Sequence, residues 1–327
     1  MALTLTRSRL VLRGSSERKD GRTTNMAMTA DEILFHPALE RCVRVQAQTL
    51  LQTHDATPRM SSIFANQQRW LMAHAALAQY FRNEANDPGA GMVAERFLES
   101  VERHGIASRN TASAFLKEMM KYDIVRVVAN SAGRRHRPLE PAPAVLMALF
   151  GWHALHLATL DGLDGGTRVA NLNARPALLL AIQPLIADGL IGSADVRKPE
   201  PTFSLFTWVN EGGPVMDRLI VACQPGCHGL PRIPTDVTSV SCLARGLNLS
   251  RTQLGRKFAE AEAMGSLGWS GTRGKSVLWV SADFRREYHS AQAVKLAIID
   301  AAFEACVVRD EPSSRRGGIG MTASSGI

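Results

Sequence analysis

The stretch that decides the fold is a nine-residue segment, Leu243-Ala244-Arg245-Gly246-Leu247-Asn248-Leu249-Ser250-Arg251. A glycine closes a predicted helix over residues 237–245, and Ser250 has a side chain well suited to cap a second helix, which we expect to end near Met264. Only a short turn with two leucines separates the two helices. Helices that cross steeply need such a turn, because its apolar residues fill the crossing. The segment therefore predicts a helix-turn-helix.

The helix that follows Ser250 has an apolar and a polar face. Leu254, Phe258 and Ala261 recur at helical spacing, so we expect this side to pack on the core. In a helix-turn-helix the second helix presents its N-terminal turns to the major groove of DNA. The candidate DNA contacts are therefore the polar residues Arg251, Thr252, Gln253, Arg256 and Lys257.

Gly255 lies in the middle of this helix, where glycine costs about 1 kcal/mol relative to alanine. A helix face pressed against another backbone would explain a glycine at this position, and we expect such a contact.

A short hairpin is predicted directly after this helix. Residues 267–269 and 276–280 have strand composition, and the turn over residues 271–275 reads Gly-Thr-Arg-Gly-Lys. The cations Arg273 and Lys275 at this tip are candidate phosphate contacts. A long closing helix is predicted over residues 283–307.

The same order of elements occurs earlier in the chain. Ser108, which lies 142 residues before Ser250, is the expected N-cap of a helix that ends near Tyr122. A strand-like run over residues 124–128 leads to a polar tip over residues 130–137, and an apolar helix follows from Pro143. The candidate DNA contacts here are Arg109, Asn110, Ser113 and Lys117 on the helix and Arg134, Arg135 and Arg137 at the tip.

On these residues both halves resemble winged helix-turn-helix domains of the MarR type, most closely from Gly246 to Val280. As a pattern, the resemblance extends over residues 60–160 and 213–308. It implies a sequence-specific transcription regulator, often dimeric, that contacts double-stranded DNA with the capped helix and with the hairpin, or wing. The tandem arrangement in one chain departs from the family pattern. A homodimer and a pseudo-dimeric monomer therefore both stay open.

The predicted fold class is mainly α with small β-hairpins, with two winged helix-turn-helix domains in one chain. We place a flexible basic leader at 1–29, the first domain with its N-terminal helix at 30–162, a connector at 163–212, the second domain at 213–308 and a disordered tail at 309–327. Whether residues 1–27 belong to the native protein stays open. Further helices are predicted over residues 31–53, 63–83, 92–104, 177–187 and 215–223.

The charge distribution favours a nucleic-acid partner independently of the resemblance. The chain carries a net charge of +8. Residues 108–137 contain seven Lys or Arg against two Asp or Glu, and residues 250–275 contain five against two. The excess of positive charge therefore lies in the two segments that would touch DNA.

Other function classes lack their sequence signals. The chain has no Gly-rich phosphate loop, nucleophile elbow or metalloprotease motif, so we expect neither an enzyme nor a cofactor. Cys223, Cys227 and His228 lack an apparent fourth ligand for zinc. His153 and His156 lie on an apolar helix, where core or interface packing is commoner than metal or effector binding.

The cysteines and the hydropathy pattern bear on the compartment. Five cysteines without framework spacing are typical of free thiols in a reducing compartment, which predicts a cytoplasmic protein. No apolar run reaches the roughly 18 residues of a membrane helix, and residues 142–160 read as a buried helix. We therefore expect no membrane partner.

Two alternatives to a transcription regulator remain. Tandem winged helices also serve in initiators of replication or plasmid maintenance, and some winged helices bind proteins without any role on DNA. The basic tips count against the protein-binding alternative. The target sequence, the direction of regulation and any small-molecule effector stay unknown at this stage.

Overall fold

The computed structural model describes residues 26–57, 61, 64, 66–129, 137–208, 212–227 and 229–309. The structure is 68% helix and has two small antiparallel sheets, one of two strands and one of three. The expectation of a mainly helical fold with a small hairpin near residues 124–138 and another near 266–281 is thereby confirmed.

The first half of the described chain, residues 26–164, contains six helices and the two-stranded sheet. They are α1 (Ala30–Leu34), α2 (Leu39–Ala56), α3 (Gln67–Asn86), α4 (Ala94–Arg103), α5 (Arg109–Lys121), β1 (Val125–Val127), β2 (Leu139–Pro141) and α6 (Pro143–Asp164).

The second half, residues 168–309, contains eight described helices and the three-stranded sheet. They are α7 (Arg168–Ala174), α8 (Leu178–Gly192), α9 (Ala194–Arg197), α10 (Pro201–Thr207), α11 (Gly212–Ala222), β3 (Arg232–Pro234), α12 (Val240–Gly246), α13 (Arg251–Ala263), β4 (Leu267–Trp269), β5 (Leu278–Ser281) and α14 (Ala282–Arg309).

The prediction of one continuous helix over residues 31–53 is wrong. The chain forms α1, which Thr29 caps together with Glu32 in a capping box, and then a separate helix α2. Pro37 lies in the break between them. Proline has no N–H for the helical ladder and disfavours helical backbone at the residue before it, here His36.

Two parts of the second half contain helices or a strand that the sequence pattern did not predict. Residues 163–212, predicted as a connector with one apolar helix, contain the four helices α7 to α10. The strand β3 lies in a segment that reads as a Pro/Gly-rich joint, and three residues are too few to show a strand periodicity.

The two sheets have related topologies. In the second half the strand order is β3-β5-β4, with Ile233 paired to Val280. In the first half Met92 forms an antiparallel bridge with Leu139, on the side of β2 that β1 does not occupy. The pairs Met92–Leu139 and Ile233–Val280 are offset by 141 residues. In both halves, therefore, a segment that precedes the capped helix pairs with the last strand of the hairpin.

The helices of the two halves exchange packing partners. Helix α2 packs on α11, and α8 packs on α3; likewise α1 packs on α14, and α7 packs on α6. Along the chain α7 and α8 are the counterparts of α1 and α2, α11 is the counterpart of α3, and α14 is the counterpart of α6. Helices α6 and α14 also contact each other. Reciprocal contacts of this kind are those of a two-fold interface, here within one chain.

A buried guanidinium lies where these halves meet. Arg168, at the start of α7, donates to both carboxylate oxygens of Asp164 at the end of α6 and to Asp300 on α14. Its side chain is 3% exposed and that of Asp300 is fully buried. The other oxygen of Asp300 accepts from the backbone N–H of Met28, just before α1. Asp300 on α14 thus binds both the segment that leads into α1 and Arg168, which lies where the two halves meet.

Helix α6 is, among the described residues, the one helix whose length and composition would allow it to cross a membrane. Core helices of soluble proteins meet the same criterion. In this fold α6 packs on α2, α7 and α14.

Loss of the Arg168 charge should destabilise the fold strongly. Arg168→Met leaves Asp300 buried without its cation, which costs about 3–5 kcal/mol. A control is Arg126→Ala, which removes an ion pair to Glu140 whose arginine is 45% exposed and should cost at most about 1 kcal/mol. Urea unfolding measures both changes. Equal free energies of unfolding for the two variants would contradict a central role for Arg168.

Candidate nucleic-acid interface

The turn between α12 and α13 is closed by backbone hydrogen bonds. The N–H of Leu249 donates to the carbonyl of Ala244 at 2.8 Å, and Asn248 adopts a left-handed conformation with φ of 55°. Asparagine is one of the few residues that tolerate this conformation. Leu247 is buried in the crossing, and the Ser250 side chain accepts from the N–H of Gln253. The predicted cap is confirmed, and α13 is held at a fixed angle to α12.

The turn between α4 and α5 is built in the same way. The N–H of Ile106 donates to the carbonyl of Val101 at 3.0 Å, and Gly105 takes the left-handed conformation with φ of 60°. Ile106 is buried as Leu247 is. Ser108 accepts from the N–H of Thr111, which confirms the second predicted cap.

The two capped helices also end alike. Asp123 and Gly265, 142 residues apart, both have positive φ. The residue after each of them forms a hydrogen bond back to the helix. The N–H of Ile124 donates to the carbonyl of Met119 at 2.9 Å, and the N–H of Ser266 donates to the carbonyl of Ala261 at 2.9 Å. Each helix is thereby directed into the first strand of its hairpin with matching geometry.

The polar face of α13 is exposed and basic. Arg251, Thr252, Gln253 and Arg256 are all exposed, whereas Lys257 is half-buried and pairs with Glu260 at 3.0 Å. Neither Arg251 nor Arg256 forms an ion pair within the described part of the chain. The same holds for Arg245, an exposed cation at the end of α12 that the sequence analysis missed because it precedes the turn.

The tip of the second hairpin folds back towards α13. The guanidinium of Arg273 lies 3.6 Å from Glu262 and donates to the carbonyl of Gly255 at 3.4 Å. Both Arg273 and Lys275 are exposed. Arg273 of the tip therefore lies against α13, where its hydrogen-bond acceptor Gly255 directly precedes Arg256.

The expectation that Gly255 is pressed against another backbone is wrong. A Cβ atom at this position would meet no atom of the described residues within 4 Å. Thr252 and Ala259 share its face of the helix, three residues before it and four residues after it. Among the described residues, no contact requires a glycine here.

The corresponding face of the first half differs in its electrostatics. Arg109 forms a salt bridge with Glu95 on α4, and Glu102 lies 4.0 Å away. This hydrogen bond to Glu95 raises the pKa of Arg109 above its usual value. Asn110 and Lys117 are exposed, and Ser113 is half-buried. Asn110 and Lys117 of α5 face solvent, but Arg109, the first residue of this helix, is already paired with a carboxylate of α4.

The first hairpin can be placed only in part. Arg137 is exposed two residues before the returning strand β2. Arg134 and Arg135 lie outside the described residues.

The histidines of α6 are core residues in this structure. His153 and His156 are completely buried, and their Nδ1 atoms bond to the carbonyls of Leu149 and Trp152. Burial lowers the pKa of His153 to about 4 and holds that of His156 well below its usual value. Among the described residues no group of three or more His, Cys, Asp or Glu is arranged to bind a metal; His228 lies outside them.

Comparison of the chain with models of protein families, with curated proteins and with solved structures finds no match.

Replacing Gly255 by alanine should stabilise the protein. The new methyl group enters open space, and alanine favours helix over glycine by about 0.5–1 kcal/mol. The control is Gly268→Ala, whose Cβ would lie 2.4 Å from the Trp279 ring and should destabilise. Thermal unfolding measures both. A lower melting temperature for Gly255→Ala would show that the glycine serves the fold itself.

Proposed function

We propose that this chain is a sequence-specific transcription regulator of the winged helix-turn-helix type, similar to MarR proteins. In this proposal it binds double-stranded DNA with α13 and α5 as recognition helices and with the two hairpins as wings. The observation that carries the proposal is the exposed basic face of α13. Its arginines at positions 251 and 256 have no ionic partner within the described chain, and Arg273 of the hairpin tip bonds to the same helix at Gly255.

The repeated backbone geometry supports two DNA-binding elements. Both capped helices follow a turn closed by a left-handed residue, and both lead into a hairpin whose last strand pairs with an earlier segment. This is the order that a winged helix-turn-helix requires. The exchanged packing of α2 with α11 and α8 with α3 is what a dimer of such proteins would have between its subunits. One chain would then act as a pseudo-dimer.

The two recognition helices should contribute unequally. Arg109 would have to leave Glu95 before it could bind a base, and the carboxylates of α4 would repel nearby phosphates. Helix α12 carries Arg245 and no acidic residue at the equivalent place. We therefore assign most of the base recognition to α13, with Asn110, Ser113 and Lys117 of α5 in a supporting role.

The open face at Gly255 fits the same proposal. Small side chains allow a helix to approach a ligand closely, and Gly255 and Ala259 leave that face bare beside Arg256. A helix inserted into the major groove needs this close approach. The glycine at position 255 would thus serve the close approach of α13 to DNA rather than the stability of the fold.

Base recognition by α13 can be tested by selecting bound sequences from a random pool of duplexes at one salt concentration. Arginine pairs with guanine and glutamine with adenine, and each good contact discriminates by roughly 1–3 kcal/mol. Gln253→Ala and Arg256→Ala should each relax the preference at particular base positions. Arg109→Ala is the control and should leave the selected motif nearly unchanged. If the wild type selects no motif, specific regulation is wrong; if neither α13 variant alters it, α13 is not the recognition helix.

The wings should contribute affinity without sequence preference. Arg273→Ala and Lys275→Ala should weaken binding to all duplexes alike, and each lost phosphate contact should lower the slope of log affinity against log salt by roughly one. The same is expected of Arg135→Ala in the first tip. Arg82→Ala is the control, since Arg82 lies on α3 and pairs with Asp188. Titrations at four salt concentrations give the slopes. An unchanged slope in all three tip variants would show that these cations only face solvent.

A further inference from the structure

A large cavity lies between helices of the two halves. Its volume is about 570 Å³, and helices α2, α3, α6 and α11 supply most of its lining. Small-molecule sites typically measure roughly 300–1,000 Å³, and an engineered cavity of about 150 Å³ already holds benzene. The space therefore suits an organic molecule larger than one ring.

The walls of the cavity are mainly apolar and aromatic. Trp70 and Trp152 contribute indole rings, and Leu149 and Leu155 add aliphatic surface. Hydroxyl groups come from Thr49 and Thr53 on α2. Such walls favour a ligand with an apolar body.

Asp217 on α11 is the one Asp, Glu, Lys or Arg among the described lining residues. It is a buried residue, and its Oδ1 accepts a hydrogen bond from the Tyr288 hydroxyl. Its Oδ2 accepts none from any described residue. Burial raises the pKa of Asp217 to about 6, so the carboxylate is mostly ionised at pH 7.5. A buried carboxylate with one oxygen that no described donor reaches is suited to a charged donor.

We propose that this cavity binds a small organic amine, whose apolar body lies against Trp70 and Trp152 and whose ammonium group pairs with Asp217. The indole rings also favour a cation, because the negative face of an aromatic ring attracts positive charge. A ligand carboxylate would instead face Asp217 with no arginine or lysine among the described lining residues. This proposal does not depend on DNA binding, and it adds a ligand to a chain whose effector the sequence left unknown.

Two further groups act on the charge of Asp217: Lys295 on α14 and His54 on α2. Lys295 on α14 lines a smaller cavity of about 170 Å³ that shares Trp70 and Asp217 with the larger one. Its positive charge and that of His54, when protonated, act on Asp217 and lower its pKa against the effect of burial. Lys295 therefore competes with the ligand's ammonium group, and its removal should strengthen binding.

The test uses three probes that share one body: 4-phenylbutylamine, 4-phenylbutan-1-ol and 4-phenylbutyrate. Calorimetric titration of the full chain without DNA, at pH 7.5, gives each Kd, and tryptophan fluorescence reports occupancy beside Trp70 and Trp152. We expect the amine to bind at least about tenfold more tightly than the alcohol and the acid.

Two variants separate charge recognition from packing. Asp217→Asn keeps the volume and should reduce amine binding to the level of the alcohol, whose own Kd should not change. Lys295→Met should strengthen amine binding, so the two variants move the affinity in opposite directions. Asp195→Asn, at an exposed position beside the smaller cavity, is the control and should have no effect. Tightest binding of the acid, unchanged amine binding in Asp217→Asn, or no binding of any probe would each overturn the proposal.

Discussion

The fold depends on one requirement: the buried guanidinium of Arg168 must keep its carboxylates. Taking a charge out of water costs several kcal/mol unless partners surround it. Asp164 and Asp300 meet this requirement from α6 and α14, and Asp161 accepts from the backbone N–H groups of Arg168 and Val169. The contact of α7 with α6 and that of α1 with α14 both lie beside these charged groups. The two halves are therefore joined by an ion cluster that includes no residue of either capped helix.

The placement of the halves matters because the proposed function needs two presenting helices on one body. Helices α5 and α13 begin at serine caps, leave their turns in the same way and end in left-handed residues, yet their surfaces differ. Arg251 and Arg256 are open, whereas Arg109 is bound to Glu95. Duplication of a backbone geometry without duplication of its charges gives a molecule in which one capped helix has unpaired surface arginines and the other has its first arginine paired with a carboxylate. The same pairing of halves encloses the cavity beside Asp217.

Local features were predictable from the sequence, and long-range ones were not. The caps at Ser108 and Ser250 and the two hairpins follow from residue chemistry within a few positions, and they are confirmed. The break near Pro37 was misread because an amphipathic pattern runs through it. Arg168 and Asp300 are 132 residues apart, so no local pattern links them. The Arg109–Glu95 pair was missed for a related reason: which charges meet depends on how α4 crosses α5.

The most direct test of the central claim is backbone hydrogen exchange of the full chain, with and without a saturating amount of double-stranded DNA. We predict that DNA slows exchange most in residues 245–257 and 271–275, and less in residues 105–117, while α2, α8 and α14 change little. Slowing confined to other surfaces, or equal exchange with and without DNA, would contradict a DNA-binding face on α13.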